Sequence, residues 1–302
     1  MIRASKLTPA KVNAWLVNHP IPATHATYRL RLSRSEPKAL PAFSAELKTY
    51  MLEALDDAKA RLRRGFTDPL SPFSIPSPDP AALYPSHLHR VTLMGYFGET
   101  MAGLAVESWG YIGKANWYVP AFLFRFHSQE FQHLESIKQS VASGQTYDPN
   151  ATPNKRPGRT GDDCLAFHLD PTTNLLTDVL SLEAKCLETN NATIISDAHA
   201  KLSSGPHIPS GIRELIELLE DYKTPSAQAW QRELVAIYKS NGATVKRHDA
   251  VTYICSNSPK TGGQIAWLPS ASPHSAYKAS RTLEGFEFHI DNIHQLVDSI
   301  YR

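Results

Sequence analysis

Apolar and polar side chains alternate over residues 26–33 (ATYRLRLS), and that period of two predicts a half-buried strand. From Ser44 the period lengthens. Leu47, Met51, Leu52, Leu55 and Leu62 recur on one helical face, with Ser44 placed to cap the start and Gly65 to stop it, so a single helix is expected. Its far end is basic, with Arg61, Arg63 and Arg64. Six prolines between Thr67 and Ser86 then oppose helix propagation and strand pairing alike, which marks a linker.

Beyond the linker the text becomes strongly apolar. Met94, Phe97, Met101, Leu104 and Ala105 keep helical spacing, Gly98 and Gly103 allow another backbone to come close, and the buried helix so predicted carries Glu99. Residues 115–126 (ANWYVPAFLFRF) are rich in aromatic and β-favouring types and read as a strand whose Pro120 makes it an edge or a bulge. A surface helix is expected over 128–144, then a long loop ending in Lys155, Arg156 and Arg159. Two apolar runs follow, GDDCLAFHLD (161–170) and LLTDVLSLEAK (175–185), joined by the polar break PTTN, and these read as a hairpin.

The remainder predicts a helix over 186–205 and two helices within 209–242, broken at Thr224-Pro225 and ended by Asn241-Gly242. Strand-like runs follow at 250–257 (AVTYICSN) and 263–270 (GQIAWLPS), then a short strand and a closing helix. The pattern implies an α/β fold with a mixed central sheet flanked by helices. Its expected parts are an N-terminal α/β extension with linker (1–85), a core (86–205) and a C-terminal helical and α+β region (206–302).

Composition changes this picture little. The chain has 302 residues, 42% hydrophobic and 20% charged, with a formal net charge of +2, so any polyanion-binding surface must come from local clusters. Three cysteines without C-x-x-C spacing argue against a disulfide framework or a structural zinc site. None of the thirteen histidines makes an H-E-x-x-H pair, and neither a G-x-S-x-G elbow nor a G-x-x-x-x-G-K-[ST] phosphate loop is present. With no run approaching a membrane span or a signal peptide, a cytoplasmic protein with no membrane partner is expected.

The chemistry concentrates at the hairpin. Glu183-Ala184-Lys185 has look-alikes at Glu36-Pro37-Lys38 and Glu46-Leu47-Lys48, and in looser form at Asp57-Ala58-Lys59 and Asp221-Tyr222-Lys223, but only the first ends a strand paired with an acid-headed run. On a strand, residues i and i+2 share a face, so Glu183 and Lys185 point together while Ala184 is left to pack. Mg²⁺ is typically held by one or two carboxylates with water and substrate phosphate oxygens, which Asp163 and Glu183 can supply. A lysine beside the metal can orient the attacking water and steady developing negative charge, the role expected of Lys185. Glu99 joins the site if its helix packs beside the strands, and Asp162 rivals Asp163 as the ligand. Lys155, Arg156 and Arg159 abut the Asp pair and suit phosphate contacts.

Gly98-Glu99 on a helix, then Gly161-Asp162-Asp163, a hairpin and Glu183-Ala184-Lys185, resembles the PD-(D/E)XK, or restriction-endonuclease-like, nuclease superfamily over about residues 91–200. The resemblance implies a metal-dependent nuclease with catalytic residues Asp163, Glu183, Lys185 and Glu99, Mg²⁺ or Mn²⁺ on Asp163 and Glu183, and DNA as substrate. The family's proline before the Asp is absent. The whole-chain layout is similar to bacterial anti-phage effectors such as the Hachiman nuclease subunit or Cap-type nucleases of Lamassu systems, which implies a helicase or SMC-like ATPase partner and leaves a homo-oligomer open. The alternative is a catalytically silent nuclease-like module that binds DNA or docks such a partner.

Overall fold

The computed structural model describes residues 6–66, 81–82, 84–86, 88–122, 162–173, 175–259 and 263–302. The expected helix at 128–144, the loop carrying Lys155, Arg156 and Arg159, and most of the proline-rich linker lie outside them. In chain order the elements are α1 (Pro9–Trp15), β1 (Leu16–His19), β2 (Tyr28–Ser35), α2 (Ser44–Glu53), α3 (Asp56–Phe66), α4 (Arg90–Trp109) and β3 (Trp117–Tyr118). The hairpin β4 (Cys164–Leu169) and β5 (Leu176–Leu187) follows, then α5 (Ala192–Ser204), α6 (Gly211–Leu219), α7 (Pro225–Lys239), β6 (Lys246–Cys255), β7 (Leu283–His289) and α8 (Ile293–Tyr301).

All seven strands join one mixed sheet in the order β1-β2-β7-β6-β5-β4-β3. Its centre, β2, β7, β6 and β5, is parallel, while β1 and the β5-β4-β3 side pair antiparallel. This is the α/β class that the alternation implied. Stretches 1–85, 86–205 and 206–302 each contribute strands, so the three share one sheet. β3 is an edge strand, as Pro120 suggested.

Alternation along the strands sorts two cores. Cys164, Ala166, Leu180, Leu182, Ala184, Ala250, Ile254, Phe286 and Phe288 face α4 and α8, with α1 and α2 packed around them. On the opposite face, Leu165, Phe167 and Val179 meet α6 and α7, and Leu30, Val251 and Tyr253 meet α5. α4 is buried along most of its length, as a helix apolar all round should be. It lies flat on the sheet because it has no side chain at Gly98, where a Cβ would sit 3.1 Å from Cys186 Cβ. Among the described residues no helix is long and apolar enough to cross a membrane.

Two expectations fail. The single helix from Ser44 is two. Leu55 N–H donates to Leu52 O at 2.9 Å, a tight turn that closes α2, and Asp56-Asp57 restarts the chain with acids in the first turn of α3, where the helix dipole favours them. Ser44 sits inside the first turn of α2 rather than capping it, and Gly65 lies within α3. The run 263–270 is not a strand. Its backbone finds a side chain instead: Trp267 N–H and Leu268 N–H donate to the two oxygens of buried Glu287, each at 2.7 Å.

Candidate active site

The β4–β5 hairpin sets the site. Its turn is closed by Asp170, whose Oδ1 accepts Thr172 N–H and Thr173 N–H at 2.8 Å each, and the ladder pairs Cys164 with Leu182. That register carries Asp163 to the level of Glu183, and Asp163 Oδ2 accepts Ala184 N–H at 2.9 Å. Both carboxylates are almost fully buried, at 3% and 2% exposure. They occupy the sheet face beneath α5.

Two lysines bridge them. Lys185 Nζ lies 2.5 Å from Glu183 Oε1 and 3.5 Å from Asp163 Oδ2. Lys201 Nζ lies 2.6 Å from Glu183 Oε2 and 3.5 Å from Asp163 Oδ1. Two carboxylates and two ammonium groups therefore alternate around a shared centre. Burial first, then the charge of Asp163, pushes the Glu183 pKa above its ordinary value of 4.5, and the lysines only partly oppose that rise. Asp178, earlier on the same strand, goes the other way. Burial resists its charge, but Lys114, His248 and Thr177 bond it strongly enough to hold its pKa near 2.

The adjacent aspartates take different positions. Asp162 turns to a different set of partners: the Ser181 hydroxyl, the Ser210 hydroxyl at 3.2 Å and Gly211 N–H at 3.0 Å. It ties the start of β4 to the start of α6, while Asp163 enters the charge cluster. Glu99 is buried in α4. α4 packs on the face carrying Ala184 and Cys186, and the alternation of β5 sends Glu183 and Lys185 to the other face, so the sheet does not bring Glu99 together with the lysine-bridged pair. Lys155, Arg156 and Arg159 lie outside the described residues. Of the look-alike tripeptides, Asp221-Tyr222-Lys223 lies in the connection between α6 and α7 rather than in a helix.

Sequence reasoning missed Lys201. The signal was present in part: Ile195, Ala198 and Leu202 mark the inward stripe of α5, and Lys201 flanks that stripe, three residues after Ala198. What no local pattern showed is that this flank meets Glu183. The helix is aimed there by Asn191, whose Oδ1 accepts Thr193 N–H at 3.0 Å and Ile194 N–H at 3.3 Å and caps its start.

Among the described residues no group of three or more histidine, cysteine, aspartate or glutamate side chains converges. A hard divalent cation needs less from the protein, since one or two carboxylates suffice when water and substrate oxygens complete the shell. Asp163 and Glu183 fit that smaller requirement. Their oxygens Oδ2 and Oε1 both contact Lys185 Nζ, so they lie no more than 6.0 Å apart, the sum of those contacts of 3.5 and 2.5 Å. Comparison with protein-family models finds none that matches the chain, and comparison with curated proteins finds no matching sequence.

Proposed function

We propose that this protein is a Mg²⁺- or Mn²⁺-dependent endonuclease that hydrolyses DNA phosphodiester bonds, of the PD-(D/E)XK kind that its Asp163, Glu183 and Lys185 resemble. The observation that carries the reading is the convergence of buried Asp163 and Glu183 on the Lys185 ammonium. A buried ion cluster contributes little net stability compared with an apolar core, and a glutamate pushed toward its neutral form beside a cleft is the usual mark of a chemical role. The bound metal would polarise the phosphoryl oxygens and make water acidic. Asp163 and Glu183 would hold it. Lys185 would orient the attacking water and steady the charge that develops on the phosphate, and Lys201 would keep Glu183 turned toward the shared centre. The reading carries with it a cytoplasmic setting and a separate helicase or SMC-like ATPase subunit, as in anti-phage effectors.

One observation favours the silent alternative: each oxygen of Glu183 already has an ammonium partner. Plasmid cleavage separates the two readings. Supercoiled DNA should be nicked or linearised in Mg²⁺ and left intact in EDTA, and Lys185→Met should lower the rate by roughly a hundredfold or more, the span of a positioned proton-handling group. DNA bound but never cut by the wild-type protein would establish the silent module. Full cleavage by Lys185→Met would overturn the assignment of that lysine.

A further inference from the structure

Arg247 stands near the start of β6, with its side chain only 3% exposed. Its Nε and Nη2 lie 3.2 Å from Asp249 Oδ1, long for bonds between charged groups. Asp249 Oδ2 accepts Arg281 Nε–H at 2.7 Å and the Tyr277 hydroxyl at 2.7 Å, so two guanidinium groups share one carboxylate. One positive charge of this trio is left over. Arg247 Nη1, moreover, has no hydrogen-bond partner among the described residues. Buried donors are nearly always met, so an orphaned one on a guanidinium points to a ligand that completes it.

The place for that ligand adjoins the charge cluster. A cavity of about 440 Å³ is lined by the carboxylates of Asp162 and Glu183 and by the cations Lys201 and Arg247, with Ser181 and Gly205 in its wall; Asp162 is held by Ser181, Ser210 and Gly211 N–H. Gly205 matters because it has no side chain. A Cβ there would come within 2.9 Å of Arg247 Nη2 and 3.5 Å of Nη1, covering the guanidinium edge that now borders the cavity. Guanidinium matches phosphate better than any other protein cation, through paired N–H groups in a fixed plane.

We propose that this cavity is a phosphate subsite, in which Arg247 binds an oxygen of the phosphate group neighbouring the one at the Asp163–Glu183 pair. The assignment rests on the nuclease reading for its substrate, but its test does not need cleavage. Inorganic phosphate is titrated into the full-length protein in EDTA at low ionic strength and followed by calorimetry. Wild type should bind saturably. Arg247→Lys, which keeps the charge but loses the planar fork, should bind roughly tenfold more weakly, and Gly205→Val, which keeps every charge but covers the guanidinium, should lose binding. A urea midpoint for each variant confirms folding, and if Arg247→Lys fails to fold the Gly205→Val arm decides alone.

Absence of saturable phosphate binding by wild type overturns the subsite, as does unchanged binding in the folded variants. Glu183→Gln distinguishes the two levels, because it should keep phosphate binding while cleavage is lost. A wild-type protein that binds phosphate through Arg247 yet never cuts DNA would keep the subsite and remove the nuclease reading. One that cuts DNA but binds phosphate equally well without the Arg247 fork would do the reverse.

Discussion

Glu183→Gln and Glu183→Ala should separate chemistry from stability at the same position. Glutamine keeps the shape but only one acceptor, so one of the contacts to Lys185 at 2.5 Å and Lys201 at 2.6 Å weakens to an ordinary hydrogen bond while the other sets an amide N–H against an ammonium, a loss of about 1–3 kcal/mol. Against that loss stand the burial of the charge and the repulsion of Asp163. Their sum exceeds what the lysines return, as the raised pKa of Glu183 requires. Glu183→Gln should therefore cost no more than about 1–2 kcal/mol in urea unfolding at neutral pH. Alanine removes the carboxylate that the half-buried Lys185 and Lys201 share and should cost about 3 kcal/mol, the lower end of the range for a broken buried pair. Neither variant should cleave DNA.

The pH dependence carries the same sign. Glu183 ionises less readily in the fold than in the open chain, so its contribution to stability is fully present below 4.5 and is lost as pH climbs through the raised folded value. Glutamine does not ionise, and a urea series from pH 4 to 8 should show that slope flattened in Glu183→Gln. If Glu183→Gln were destabilised as far as Glu183→Ala, the cluster would be a structural ion network and the reasoning from the raised pKa would be wrong. Cleavage by Glu183→Gln at the wild-type rate would remove Glu183 from the chemistry.

Asp162→Asn should cost about 1–3 kcal/mol in urea unfolding, because one of its oxygens becomes a donor facing Ser181 or Gly211 N–H, yet it should still cleave DNA, whereas Asp163→Asn should not. Lys201→Met should raise the Glu183 pKa further by removing one of the two charges that oppose the rise, which carbon-detected NMR titration of the glutamate carboxyl would read as a midpoint above that of wild type. Glu287→Gln should cost about 1–3 kcal/mol and loosen residues 263–270, since an amide cannot accept from both Trp267 N–H and Leu268 N–H, and tryptophan emission should shift to longer wavelength. Unchanged emission and stability in that variant would mean that Glu287 does not hold the segment.

Much of the sheet was legible because strands buried on one face announce themselves by alternation. β2, β4, β5, β6 and β7 all fall on runs whose period is two or whose apolar content is continuous. The strand expected over 263–270 fails for a distant reason. Residues 263–270 look like a strand by composition, but their donors are met by the Glu287 carboxylate from twenty residues away, and no local pattern carries that pairing. The site divides in the same way. Glu183, Lys185 and Asp163 lie on one hairpin, so register alone joins them. Lys201 and Arg247 reach the same cavity from α5 and β6, and only the packing of a helix over parallel strands shows it.

The strand that carries the chemistry also explains why the cluster can be rigid. β5 is held in register on both sides, antiparallel to β4 and parallel to β6 over ten residue pairs from Asp178–Lys246 to Leu187–Cys255. A slip of one residue would exchange its faces, pressing Glu183 and Lys185 against Gly98 and α4 while turning Ala184 and Cys186 toward Lys201. Packing therefore opposes the slip: the contact with Gly98 leaves no room for a longer side chain at that point under α4, and the opposite face offers Lys201 to the buried Glu183. The same alternation that builds the larger core thus fixes that Glu183 meets Lys201 on the face beneath α5, in the wall of the cavity that Arg247 also borders.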